Sequence, residues 1–154
     1  MPDTARQWIN AVRPKAAWYD PPYTVAPLRP ADVSRAYAVV NAVRPDVGHD
    51  EWLAHQAELR DEARWSGTAA GTMALTCPRG YVYGLFTHRV ARRLGAGRVL
   101  EAADFCVVPL TNPRHAAAAL AAAAEDLARG LACRSLSIRC LVGDASDLDL
   151  LPCG

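Results

Sequence analysis

Apolar and polar positions alternate along this chain with two different periods, and the switches between them mark out its elements. Val33, Ala36, Tyr37 and Val40 recur at helical spacing within residues 31–43, and Pro45 closes that run. A second amphipathic helix is predicted from Asp50-Glu51 to about Trp65, with Trp52, Leu59 and Ala63 toward one side. The period then shortens to two. Residues 72–77 (TMALTC) carry Met73, Leu75 and Cys77 on one face, a CPRG turn follows, and residues 81–90 form the partner strand of a hairpin.

On that partner strand, strict alternation puts Tyr81, Tyr83, Leu85 and Thr87 on one face and Val82, Gly84, Phe86 and His88 on the other. Gly84 inside a strand signals a bulge or a close backbone approach, a bound ligand being one cause. ARRLGAGR reads as a polar loop, and Val99 to Val108 as a third long strand. Asn112 suits an N-cap and Pro113 a first helical position. Alanine fills eight of the nine positions from 116 to 124, so a thin helix is strongly favoured, and Gly130 is placed to end it. SLSIRCLV gives a last strand, with Leu136, Ile138, Cys140 and Val142 on one face. Upstream, Val25 to Leu28 is a short strand and residues 4–13 a short helix. Pro14, Pro21 and Pro22 make residues 14–24 an extended arm bearing Trp18, Tyr19 and Tyr23. The chain thus divides into an N-terminal helix and arm, residues 1–24, and one α/β domain, residues 25–154.

Composition narrows the function. A net charge of +1 gives no global attraction to nucleic acid or to an anionic membrane. No run approaches the roughly 18 apolar residues of a membrane span. The N-terminus lacks a basic-then-apolar leader pattern, which points to the cytoplasm. Five cysteines without a CxxC pair read as reduced, mostly buried thiols. His49, His55, His88 and His115 include no i, i+4 pair, so no metal site is expected. Arg89, Arg92, Arg93 and Arg98 surround Gly95-Ala96-Gly97, either as a solvated hairpin tip or as a clamp for an acidic group.

The order β-α-α-β-β-β-α-β resembles the front of the GNAT (GCN5-related N-acetyltransferase) fold, a mixed central sheet flanked by helices. The segment LEAADFCVVPLTNPRHAAAALAAAAEDLARGLACRSLSI carries the likeness in order and length. In that family a glycine-rich loop after the fourth strand binds the pyrophosphate of acetyl-CoA at a helix start, where free amides and the helix dipole favour an anion. The resemblance implies acetyl-CoA as cofactor, held by Val107, Val108, Asn112, Arg114, His115, Ala116 and Ala117. The glycine positions here hold Pro113, His115 and Ala117, a departure from the family pattern.

The resemblance further implies a carboxylate base on the fourth strand, Glu101 or Asp104. Strict alternation separates those two, so both can serve only if a bulge intervenes. Tyr83, Arg92 and Arg93 would lie on the acceptor side, and the acceptor would be a small-molecule or peptide amine. No tyrosine follows Tyr83, so the family's late tyrosine acid is absent, and Cys140 reads as a core residue rather than its substitute. The tail after Val142 is too short for the family's closing helix and strands. That edge stays open or is completed by the arm or by a second copy, as a homodimer. These departures support an alternative reading, a GNAT-fold protein that binds a partner or small ligand and catalyses nothing.

Overall fold

The computed structural model describes residues 23–67, 69–108 and 113–141, together with the backbone of 148–152. The expected first helix, most of the arm, and Asn112 lie outside the described residues. Strand β1 (Thr24–Pro27) leads through a 3-10 turn (Pro30–Asp32) into helix α1 (Val33–Val43), followed by helix α2 (His49–Ser66). Three antiparallel strands follow: β2 (Ala70–Thr76), β3 (Val82–Arg93) and β4 (Gly97–Val107). Helix α3 (Pro113–Gly130) then crosses to β5 (Ser135–Cys140), and β6 (Leu148–Pro152) is the last described element. Among the described residues, six strands lie in sequence order across one sheet, and only the β4–β5 pair is parallel.

Two apolar layers hold the sheet. On one face α3 packs Ala116, Leu120, Ala121, Ala124 and Ala128 against Phe86, Leu100, Ala102, Phe105, Leu136 and Ile138. On the other, α1 and α2 bring Val33, Ala36, Val39, Val40 and Trp52 onto Leu85 and Cys106. Alanine on α3 makes the close approach, and Gly84 completes it. A Cβ at Gly84 would stand 2.8 Å from Leu120 Cδ1 and 3.0 Å from the Cys106 carbonyl. Protein packing, not a ligand, accounts for this glycine.

Several expectations change. Residues 91–98 are not a polar loop: β3 and β4 run through them, and only Leu94 to Ala96 turn. A register shift opposite Leu75/Thr76 inserts Tyr83 as an extra residue. Tyr83 therefore packs toward the α3 layer, while Leu85 lies in the α1/α2 layer, and the strict aromatic stripe is broken. Gly130 is the last residue of α3, and the left-handed position is Ala132, at φ 55°. There Cys133 N–H bonds the Ala128 carbonyl and Ala132 N–H bonds the Arg129 carbonyl, the paired closure of a Schellman motif. Finally, the short tail does supply a strand. β6 pairs antiparallel with β5, so the edge expected to stay open or to be completed by the arm or a second copy is covered by the chain's own tail.

Candidate active site

Strand β4 carries the departure from regularity on which the site depends. Between Ala102 and Phe105 its register slips against both neighbours, and Asp104 adopts φ 53°. A side chain in this left-handed region costs about 1–2 kcal/mol, and aspartate tolerates it better than most residues. The slip puts two residues opposite one, a β-bulge. Leu100, Ala102 and Phe105 consequently face α3, whereas Glu101 and Asp104 share the opposite face. The bulge that alternation required for the two carboxylates to act together is present.

They are not equivalent. Glu101 accepts a 2.8 Å hydrogen bond from Arg93 and sits opposite Arg89 in the ladder. Asp104 Oδ2 accepts from Thr87 Oγ1 at 2.7 Å and lies 2.8 Å from His55 Nε2. Burial works to raise the Asp104 carboxyl, but the bonds from His55 and Thr87 outweigh it and hold the group below its ordinary value. The bond to Asp104 raises the His55 imidazole, against the opposing effect of burial.

Helix α2 delivers His55 because its core-facing stripe is fixed on three sides. Trp52 Nε1–H donates to the Val33 carbonyl at 2.7 Å, Gln56 accepts from the buried Thr72 hydroxyl at 2.8 Å, and Leu59 is fully buried. The adjacent stripe of Glu51, Ala54, His55 and Glu58 then lines a cleft of about 470 Å³. Trp52 and Val40 form its apolar wall, Asp104 and Leu141 its sheet side, and Arg44 its rim. Arg44 is engaged in a 2.6 Å ion pair with Asp46 and also reaches the Leu141 carbonyl at 3.3 Å.

Beyond the bulge, β4 outruns β5. The last ladder pair is Phe105 with Cys140, and Leu141 N–H closes on the Phe105 carbonyl. Val108 N–H turns the other way, to the Tyr83 carbonyl. By alternation, Val107 directs its own N–H and C=O toward the β5 side, where no described strand residue meets them. Helix α3 begins just downstream. Arg114 is exposed, His115 and Ala117 are half-buried, and the Ala116 side chain is buried against the sheet. The amides of Arg114 and His115 lack an intrahelical acceptor by their position, and Pro113 contributes none.

The remaining site expectations fall elsewhere. Tyr83 meets Tyr23 edge-to-face at 6.1 Å on the α3 side of the sheet, away from the cleft. Arg92 and Arg93 line a separate open groove at the β3–β4 turn with Leu94 and Arg134. Neither arginine reaches Asp104. Conversely, the site expected from sequence does not include His55, which the structure brings to Asp104 in the cleft. A usable signal existed: Glu51, Ala54, His55 and Glu58 follow i, i+3, i+4, i+7 spacing and set a histidine between two acids.

Compared with known proteins, this chain matches no family model and no curated relative. Solved structures do match. The aminoglycoside N-acetyltransferase AAC(6')-Iy, in complex with a CoA-containing bisubstrate analogue, superposes with TM-score 0.64 and 13% identity over 80% of this chain and 81% of that one. A GNAT family acetyltransferase from Brucella melitensis in complex with acetyl-CoA gives 0.56 and 18% over 80% and 77%. Glucosamine-6-phosphate N-acetyltransferase from Arabidopsis thaliana gives 0.61 and 11% over 78% and 83%. These likenesses are of fold: the chain has a GNAT-like α/β architecture. Among the described residues, no helix is long and apolar enough to cross a membrane.

Proposed function

We propose that this protein transfers an acyl group, acetyl in the simplest case, from acetyl-CoA to an amine. The observation that carries the reading is the end of β4: past the last described β4–β5 pair, Phe105 with Cys140, Val107 directs its N–H and C=O to the β5 side, where no described strand residue meets them, and an 18-residue helix starts shortly after. An extended thioester arm can add to such an edge as a further strand would. Its pyrophosphate would meet the amides of Arg114 and His115 in the first turn, beside Ala116 and Ala117, with the exposed Arg114 side chain adding charge. Bound there, acetyl-CoA supplies an acyl carbon activated by its thioester. Asn112 belongs to the same proposed cradle, and Val108 to the strand end that precedes it in the sequence.

The acceptor would enter the cleft lined by Asp104 and His55. Glu51 and Glu58 give that cleft an acidic flank, and Trp52 gives it an apolar wall, so a cationic amine with an apolar body suits it. Glu101, held by Arg93, is the weaker candidate for a proton acceptor. Cys77, Cys106 and Cys133, which form no disulfide among the described residues, favour a cytoplasmic setting. If a homodimer forms, it uses an edge other than β5, and mass in solution tests that.

The decisive experiment titrates the purified protein with acetyl-CoA and with CoA by calorimetry, beside Arg114→Glu. Thiol release is then followed with 1,3-diaminopropane, glucosamine and tyramine as probe amines. Micromolar binding weakened by the variant, together with amine-dependent thiol release, supports the reading. Absence of binding at millimolar ligand overturns it and leaves a non-catalytic binding protein.

A further inference from the structure

We propose that His55 is the proton acceptor for the amine and that Asp104 is its positioning residue, an imidazole–carboxylate pair built between helix α2 and the β4 bulge. This rests on the acyl-transfer reading and replaces the carboxylate base which the fold would suggest.

Three observations carry it. First, Oδ2 of Asp104 is already engaged twice, by Thr87 Oγ1 at 2.7 Å and by His55 at 2.8 Å. A carboxylate so committed and held below its ordinary value is a weak base, because a proton on either oxygen removes the charge that strengthens both bonds. Second, the Asp104 contact fixes the histidine. Nε2 must carry the proton that it donates, which leaves the lone pair on Nδ1, and Nδ1 makes no hydrogen bond among the described residues. Third, both side chains line the same 470 Å³ cleft and are only partly exposed, 37% for His55 and 29% for Asp104. A base at this place is reachable by an acceptor and yet partly shielded from water.

The charged groups around the imidazole are few. Helix α2 contributes Glu51 and Glu58, and β3 contributes Arg89, itself bridged to Glu62 at 3.3 Å. Strand β4 contributes Asp104 and, farther off, Glu101 on Arg93. The end of α1 contributes Arg44, neutralised by Asp46. The Cys106 thiol behind the bulge is pushed up to about 12 by burial and stays neutral. Glu58 favours the imidazolium and Arg89 disfavours it, both less than Asp104 does.

The proton balance is simple. An ammonium in the cleft gives one proton to Nδ1, producing a free amine and an imidazolium stabilised by Asp104. The amine nitrogen bonds to the acyl carbon while the bond from that carbon to sulfur breaks, and sulfur leaves with the electron pair. The nitrogen's surplus proton neutralises the thiolate, and the imidazolium returns its proton to solvent. Asp104 holds charge throughout without itself being protonated.

The test has one arm independent of turnover. Imidazole nitrogen NMR on the intact protein should show His55 titrating above 6.5, with the neutral form protonated at Nε2. In Asp104→Asn the titration should move down, because the bond that raises it is lost. The second arm records the pH profile of acetyl transfer to whichever of the three probe amines reacts. His55→Gln, which can still donate to Asp104, should lose about 10²–10³-fold in kcat with KM for acetyl-CoA unchanged, and should lose the acid limb near the His55 pKa. Asp104→Asn should keep that limb, displaced to lower pH. A His55→Gln enzyme with undiminished kcat and an unaltered limb overturns the proposal while leaving acyl transfer standing. A histidine protonated at Nδ1 overturns it as well. Wild-type protein without thiol release for any probe overturns both.

Discussion

Leu120 on α3 sits over Gly84 on β3 so closely that a Cβ at position 84 would lie 2.8 Å from Leu120 Cδ1. The Cys106 carbonyl, at 3.0 Å from the same point, is backbone and moves less readily than a leucine tip. Gly84→Ala should therefore destabilise the protein by about 1–3 kcal/mol, as overpacking does. Chemical denaturation checks the value. Combined with Leu120→Ala, the double-mutant cycle should return a favourable coupling of at least about 0.5 kcal/mol. Full additivity would mean that the contact is relieved in some other way.

The Schellman closure of α3 is made at Ala132, φ 55°, a position where glycine carries no Cβ penalty. Ala132→Gly should raise stability by about 0.5–1 kcal/mol, net of the added chain entropy of glycine. For a chain of this length that corresponds to a gain of roughly 2–4 °C in Tm for the upper value. A lower Tm would contradict the strain assigned to this residue.

How far the sequence spoke depends on the range of the interaction. Helix α1 and the start of α3 follow from local signals: the 33/36/37/40 spacing and Pro113 after Asn112. Glu101 and Asp104 were also legible as a pair that needs a bulge. The bulge itself was not, because nothing in LEAADFCV states where a strand slips against two neighbours. His55 was hidden for a related reason. Its partner lies 49 residues away, and the contact exists only once Trp52, Gln56 and Leu59 have fixed the roll of α2 on the sheet. The tail misled through composition: it looked too short to close the sheet, yet β6 needs only five residues to pair with β5.

Stability should depend on pH through the same pair. His55 is raised above 6.5, so its contribution is fully present below that value and is lost as pH rises through the folded-state pKa. Asp104 is lowered from 3.8, so its contribution is present above that value and is lost as pH falls through its folded-state pKa. The two overlap between those limits. His55→Gln should thus cost more stability near pH 5.5 than near pH 9, by urea denaturation at both. His88 acts with the opposite sign, because burial lowers it and favours the neutral ring. Its contribution diminishes on acidification below 6.5, and His88→Leu should flatten that part of the wild-type curve.

The acidic stripe of α2 makes the acceptor's charge testable. Glu51 and Glu58 stand one turn on either side of His55, and both line the cleft, while the neighbouring cation Arg44 is already neutralised by Asp46. An amine arriving as an ammonium is attracted before it reaches His55, so the carboxylates should act on capture more than on the chemical step. Glu51→Gln combined with Glu58→Gln should raise KM for 1,3-diaminopropane about 5–20-fold, given roughly 0.5–1 kcal/mol per partly exposed charge pair, with kcat within about twofold. Tyramine, with a single charge, should lose less than the dication. The loss should also shrink at high salt, since exposed charges are screened beyond roughly 10 Å at 0.1 M. Steady-state kinetics at two ionic strengths separates these cases. An equal fall in kcat and kcat/KM would instead place the two glutamates in the transition state, and no change at all would mean that the acceptor enters by another face of the sheet.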